Sequence, residues 1–320
     1  MKKLAKLLAV AFCAVLAMAL VGCQQQEEKQ DDTLQVSDSA ASTATETEPF
    51  WVLVVGNDSR TGTVEITKSD YADGTARSDV IMLVRVDPKT YAISIVSVPR
   101  DTATDLNGST VKLNEVYHTS GINQLVTEVG NLTGVTAKYY LDMDFCQFEK
   151  FIDGLGGITA NVPINMQLQD IVSGDQVSLT KGEQSLDGKQ ALVLARSRKQ
   201  YANDLDACRQ IQDRALVQAG ITQVASNPST VEACVTALTS NCSTNWDATA
   251  LTNLATDFAN NASKISFVSG TGPYSGDVNS SSGLWLATRD EETWKKVIAA
   301  AEAGEDPREI VAEPSVAAAK

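Results

Sequence analysis

Histidine is nearly absent: His118 is the only one in 320 residues. No partner residue can be argued for it, so it is a poor candidate for a general base. Cysteine is scarce too, six in all, and no CxxC or Cys/His spacing suggests a zinc site. Positive charge is also short, with 26 Lys and Arg against 40 Asp and Glu and a formal net charge of −14. Such acidity disfavours a polyanion held by bulk charge, which argues against nucleic acid. Arginines that gather despite this balance therefore stand out.

The chain opens with Lys2, Lys3 and Lys6, an apolar run from Leu7 to Val21, and then Leu20-Val21-Gly22-Cys23. The run has the length of a signal-peptide core and is short for a membrane span. Its end resembles a bacterial lipobox, so residues 1–22 are expected to be removed and Cys23 lipidated. The alternative is an uncleaved N-terminal anchor. Either way the rest is expected outside the cytoplasmic membrane, at its outer face in the cell envelope. Cleavage removes three lysines, so −14 becomes −17. Cys146, Cys208, Cys234 and Cys242 remain, an even number with three pairings open, and Cys234 with Cys242 is the pair nearest in sequence. Residues 23–49 are polar without apolar period and read as a disordered tether.

Length allows one large domain or two ordinary ones. Phe50–Val55 reads as a buried strand ending at Gly56-Asn57-Asp58-Ser59-Arg60, and 61–76 as a loop. Val80–Val86 and Tyr91–Val98 flank Asp87-Pro88-Lys89-Thr90 and predict a β-hairpin. If Asp87 and Thr90 close it, Arg77 faces Arg100 and Asp79 faces Val98. Helical spacing predicts helices over 121–133, 144–155, 205–225, 229–239, 247–260 and 291–303. The 205–225 helix carries an apolar stripe (Cys208, Ile211, Ala215, Ala219) and a polar one (Asp206, Arg209, Asp213). Residues 139–141 and 265–268 read as strands, 163–180 as surface loop, 270–283 as a Gly/Ser-rich loop, and 306–320 as a frayed tail. The expected fold is a single α/β domain over 50–305, a mixed central sheet flanked by helices.

Charged groups recur at the ends of the apolar runs: Asp58 with Arg60, Arg77 with Asp79, Arg100 with Asp101, and Arg196 with Arg198. In an extended segment Arg196 and Arg198 point to one side. If the strand ends share a rim, the guanidinium forks suit phosphate oxygens. Carboxylates in the same cluster suit a hard divalent cation, since Mg²⁺ is typically held by one or two carboxylates plus substrate phosphates. Together they would form a pyrophosphate site. The plainer reading is a set of surface salt bridges. Cys208 beside Arg209 has the makings of an activated thiolate, but its apolar stripe favours a buried or disulfide-bonded cysteine.

Seven motifs in order resemble the LytR-CpsA-Psr family of envelope enzymes. They are Gly56-Asn57-Asp58-Ser59-Arg60, Arg77-Ser78-Asp79, Pro99-Arg100-Asp101-Thr102, Lys112-Leu113-Asn114, Phe151 to Gly157, Leu186 to Leu192, and Arg196-Ser197-Arg198. The resemblance covers about residues 50–225. It implies a phosphotransferase that moves a glycopolymer such as teichoic acid or capsular polysaccharide from a polyprenyl-pyrophosphate carrier to a peptidoglycan hydroxyl. Asp58 and Asp79 would then hold Mg²⁺, with Mn²⁺ as a substitute. Arg60, Arg77, Arg100, Arg196, Arg198 and Arg209 would bind pyrophosphate, with Asp58, Asp79, Arg100 and Arg198 central to catalysis. Asp79 or Asp206 would accept the hydroxyl proton. The polyprenyl chain would enter an apolar groove lined by the 121–133 and 145–155 stripes.

Two departures stand against this. The family usually has glutamine four residues after the arginine of the long helix, where this chain has Asp213, and most members keep an uncleaved N-terminal helix. The alternatives left open are a non-catalytic lipoprotein binding an isoprenoid or glycan, a polyprenyl-pyrophosphate hydrolase, and a ligase placing glycan on a protein.

Overall fold

The two apolar runs pair as an antiparallel hairpin, but in a register two residues away from the expected one. Asp87 pairs with Ala92, Val84 with Ile95 and Met82 with Ser97. The loop is four residues long because Tyr91 adopts a left-handed backbone (φ 60°) and its N–H donates to Asp87 O. Asp87 Oδ1 accepts from the N–H groups of Lys89 and Thr90, which tightens the turn. A two-residue shift keeps every side chain on its face, so the apolar pattern could not reveal it. Carried to the open end, this register sets Asp79 opposite Arg100.

The computed structural model describes residues 46–65, 76–202 and 205–317. The leader, Cys23, most of the tether and residues 66–75 of the expected loop lie outside the described residues. Among the described residues the strands are β1 (Phe50–Asn57), β2 (Ser78–Asp87), β3 (Ala92–Ser97), β4 (Ala103–Leu106), β5 (Ser109–Lys112), β6 (Ala137–Met143), β7 (Ile158–Val162), β8 (Met166–Gln169), β9 (Gln176–Leu179), β10 (Gly182–Leu186), β11 (Ser243–Thr244), β12 (Ser266–Thr271), β13 (Gly276–Val278) and β14 (Trp285–Ala287). The helices are α1 (Leu113–Thr133), α2 (Phe145–Gly154), α3 (Gly188–Arg196), α4 (Leu205–Ser226), α5 (Val231–Ser240), α6 (Ala248–Asn260) and α7 (Glu291–Ala303). No helix among the described residues is long and apolar enough to cross a membrane.

The central sheet has the order β11-β6-β1-β2-β3-β12. It is mixed: β1 runs parallel to β6 and antiparallel to β2, and β12 is parallel to β3. Strand alternation splits its side chains between two layers. Leu53, Leu83 and Val96, all fully buried, face α1 and α7 with Leu125, Val129 and Trp294. Val52, Met82, Val84 and Ile93 face α5 and α6. Each fully buried Leu or Val contributes roughly 1.5–3 kcal/mol of transfer free energy. The α1 face is therefore a packed core.

Several expectations are corrected. The helix expected from 121 begins at Leu113, with a break at Gly121 (φ 77°, ψ −172°) that only glycine adopts easily. The loop expected over 163–180 holds β8 and β9, whose Met166, Val177 and Leu179 join a second core with Ile158 and Val162. The apolar run 189–195 is not extended: Asp187 and Gln190 form a capping box that starts α3, so Arg196 ends a helix. On α4 Cys208 is buried as expected, but Arg209 and Asp213 of the polar stripe are buried too, at 4% and 5% exposure, while Ala215 of the apolar stripe is exposed.

Both ends of the domain are more tightly tied than expected. Glu46 pairs with Lys138 at 2.6 Å and Glu48 with Lys89 at 2.5 Å. The expected frayed tail is docked through residue 317. Arg214 and Glu313 form a buried ion pair, Tyr274 Oη donates to Ala312 O at 2.9 Å, and Ala202 N donates to Ala317 O at 2.9 Å. Among the described residues Cys146, Cys208, Cys234 and Cys242 form no disulfide. Cys234 lies in α5 and Cys242 two residues past its end, so the helix from Cys234 to Ser240 alone rises about 9 Å. A disulfide needs Cα atoms closer than about 7 Å.

Candidate active site

Four elements converge at one end of the sheet. β1 ends at Asn57, whose side chain donates to Asp142 Oδ1 at 2.9 Å, while Tyr117 Oη donates to Asp142 Oδ2 at 2.7 Å. This buried network fixes the strand end that carries Asp58. Asp58 Oδ1 accepts from Arg77 N at 2.6 Å, and Asp58 N donates to Arg77 O at 3.0 Å. Burial, then the charge of Asp79, pushes the Asp58 carboxyl above its usual range against that hydrogen bond.

The hairpin's open end supplies Asp79 and Arg100, joined as an ion pair. Arg100 also reaches Asp206 at 3.5 Å and Asp101 at 3.8 Å. α4 supplies Asp206 and Arg209. Asp206 Oδ1 is 3.1 Å from Arg209 Nη2 and 3.6 Å from Arg198 Nε, and Gln210 donates to Oδ2 at 3.0 Å. Burial alone would raise Asp206; Arg209 and Arg100 reverse this and hold it at about 2. Arg209 Nη2 further donates to the backbone carbonyl of Asp79 at 2.9 Å, which locks helix to hairpin. Its Nη1 donates to Asp213 Oδ2 at 2.7 Å.

Arg60 and Arg196 come from β1's end and α3's end, and both lie against one ring. The Phe145 centroid is 5.0 Å from Arg60 Cζ and 4.9 Å from Arg196 Cζ. The electron-rich ring face stabilises each guanidinium and lets two like charges sit close. Phe145 is held in turn by the capping box of Asp144 and Gln147 at the start of α2. Burial, followed by repulsion from Arg60, depresses Arg196; burial and then Arg100 depress Arg198. A bound anion would relieve both.

These groups cap a cavity of about 460 Å³. Arg60, Arg100, Arg196, Arg198 and Arg209 line its mouth with Asp79, Asp144 and Asp213, so cations are in excess. Apart from Asn57 the rest of the wall is apolar, including Val52 and Val84 from the sheet, Phe148 from α2, Leu216 from α4, and Leu254 and Phe258 from α6. The expected groove is therefore lined by the 145–155 stripe. The 121–133 stripe lies on the opposite face of the sheet, packed on α7. The mouth's chemistry suits an oxyanion and the interior suits a hydrocarbon chain.

Arg77 stands apart. It is 46% exposed, held by Glu115 at 2.8 Å, and outside the cavity wall. Asp58 is also not among the residues that line the cavity; its carboxylate is held by Arg77 N. Lone His118 is 3.8 Å from Glu115, away from this centre. Phe145 was legible only as a member of an apolar stripe. Its position directly after an N-cap aspartate, between two arginine-bearing segments, carried no separate signal.

A family model described as the LytR_cpsA_psr family matches residues 16–300. The chain belongs to the LytR_cpsA_psr family. A curated relative from Bacillus licheniformis, polyisoprenyl-teichoic acid–peptidoglycan teichoic acid transferase TagU, is 33% identical over 186 residues, 58% of this chain and 55% of the relative. TagV of Bacillus subtilis, named as the same kind of transferase, is 36% identical over 129 residues, 39% of this chain and 33% of the relative. The aligned part thus spans about half, or less, of these curated relatives. Among solved structures, Bacillus subtilis TagV superposes with a TM-score of 0.66 at 25% identity, covering 85% of this chain and 100% of that one. A structure of TagT bound to LI-WTA has a TM-score of 0.60 at 20% identity, covering 82% of this chain and 95% of the other, a likeness of fold. The LytR_cpsA_psr fold is thus present in this chain.

Proposed function

We propose that this protein is a phosphotransferase of the cell envelope. It moves a glycopolymer from a polyprenyl-pyrophosphate carrier to a hydroxyl of peptidoglycan. The observation that carries the reading is the junction of a guanidinium rim with a deep apolar cavity. A pyrophosphate at the rim places the attached polyprenyl chain in the cavity. The relatives named as teichoic acid transferases support the same chemistry.

The acceptor oxygen forms a new bond to the sugar-linked phosphorus as the bridging P–O bond breaks. The electron pair leaves on polyprenyl phosphate, and the hydroxyl proton passes to a rim carboxylate. Arg100, Arg196 and Arg198 are placed to neutralise the departing charge. Asp79, paired with Arg100, and Asp206, held at about 2, are the candidate acceptors of that proton. The low value makes Asp206 a weak base.

Among the described residues no group of three or more His, Cys, Asp or Glu side chains is arranged to hold a metal. Asp58 and Asp79 instead repel each other across a half-buried site, which fits a divalent cation completed by phosphate oxygens. Bound there, Mg²⁺ would screen the charge of the phosphates. Asp213, where the family usually has glutamine, is paired with Arg209.

The test is cleavage of a carrier-linked glycan by purified protein with and without Mg²⁺. Activity that needs Mg²⁺ and disappears in Arg100→Ala and Asp79→Ala is expected. Wild-type protein that binds the lipid without ever turning it over would sink the reading. Release of free glycan in place of transfer would favour a hydrolase.

A further inference from the structure

A second cavity of about 370 Å³ lies beside the ionic centre, lined by Pro99, Asp101, Arg198, Asp206, Gln210, Tyr274 and Trp285. Its volume falls within the roughly 300–1,000 Å³ of small-molecule sites. Arg198 belongs to the walls of both cavities. Asp206 lines the second and contacts Arg209 of the first at 3.1 Å. The two cavities therefore adjoin the same charged centre.

The second wall differs in kind from the first. Two carboxylates, one amide and a guanidinium offer hydrogen bonds, and two aromatic rings offer flat apolar faces. Trp285 is 41% exposed, whereas Trp51 and Trp246 are 7% exposed and Trp294 fully buried. An indole left in water beside polar groups is a surface for a ligand with both C–H faces and hydroxyls. Sugar rings have that chemistry.

The platform is held in register with the rim. Trp285 pairs across the β13–β14 hairpin with Val278. Two residues on, Ala287 N donates to Asp101 O at 2.9 Å, and Ala287 bridges to Thr102. Trp285 is thereby tied to the segment that carries Arg100.

We propose that this second cavity is the acceptor subsite, in which a saccharide stacks on Trp285 and Tyr274 and presents a hydroxyl toward Arg198 and Asp206. The proposal rests on the transferase reading for its role, and on its own geometry for its ligand. A membrane surface is the competing occupant for an exposed tryptophan, but residues 272–290 hold one basic residue, Arg289, against Asp277 and Asp290. Interfacial patches usually add Lys or Arg for anionic lipid.

The test is calorimetric titration of the full chain with chitotetraose, a β-1,4-linked N-acetylglucosamine probe, with no carrier lipid present. Saturable binding is expected, weakened at least about tenfold in Trp285→Ala and largely kept in Trp285→Phe. Thermal melting of each variant checks the fold. In the transfer reaction, Trp285→Ala raises the acceptor KM more than it lowers kcat. Failure of chitotetraose to bind, or equal binding by Trp285→Ala, overturns the subsite even if transfer occurs. Binding through Trp285 without any transfer sustains the subsite and sinks the transferase reading. Trp285-dependent binding to phosphatidylglycerol vesicles, without saccharide binding, assigns the patch to the membrane and overturns the proposal.

Discussion

Arg209 and Asp213, one turn apart on α4, form an ion pair of 2.7 Å that is all but shut off from solvent. Arg209 stays charged between Asp213 and Asp206. The cost falls on Asp213: burial outweighs the attraction of Arg209 and pushes its carboxyl up to about 7. A folded-state value above the unfolded one means the fold binds the proton more tightly than the unfolded chain. This residue therefore lowers stability as pH rises from about 4 to about 7. Asp213→Asn should remove that slope and gain on the order of 1 kcal/mol at pH 8. Thermal melts of both proteins across pH 4–8 decide it; a loss of stability at pH 8 would show the ionised pair to be favourable.

Asp206 has the opposite sign. Its folded value of about 2 lies below the unfolded one, so its contribution is present above about pH 4 and is lost as pH falls toward 2. Asp206→Asn should cost about 2 kcal/mol at pH 7, and the gap to the parent should close in acid. Denaturant midpoints at pH 7 and pH 3 measure both terms. A gap that stays constant between them would refute the assignment.

Arg100 bridges Asp79, Asp101 and Asp206 with one planar fork. Lysine keeps the charge and loses the fork. Arg100→Lys should melt within a few degrees of the parent, yet lose roughly 10²–10³ in transfer rate. Near-parental activity would mean that charge alone suffices at this position.

Gly220 sits inside α4 on the wall of the apolar cavity, and a Cβ added there meets nothing within 4 Å. Gly220→Ala should therefore stabilise the helix by about 0.5–1 kcal/mol. Gly220→Phe projects a ring into the cavity and should weaken a long polyprenyl carrier at least about tenfold while sparing a short one. Comparing carriers of two lengths on both variants separates the effects. Equal loss on both lengths would place the chain elsewhere.

Much of this site could be read from charge at strand ends, because buried strands rarely carry ionic residues except where they leave the sheet. Asp58, Asp79 and Arg100 were legible in that way. Their pairing was not, since Tyr91 takes a left-handed conformation that no apolar pattern announces. The run before Arg196 was ambiguous because seven residues are as short for a helix as they are ordinary for a strand; the capping box of Asp187 and Gln190 settles it. Strands β8 and β9 are four residues each, too brief for alternation to register. Docking of the tail depends on Arg214 meeting Glu313, 99 residues away, and distant pairs leave no local trace.

One helix serves three tasks in sequence. Along α4, Asp206 and Gln210 border the aromatic cavity, Arg209 and Asp213 the ionic mouth, and Leu216 and Gly220 the apolar interior. From Asp206 to Gly220 the helix climbs about 21 Å at its usual rise of 1.5 Å per residue. In the proposed function it is a ruler, graduated in the order sugar, phosphate, lipid. One residue inserted between Asp206 and Leu216 would turn everything beyond it by about 100°, so the spacing of α4 is as constrained as its chemistry.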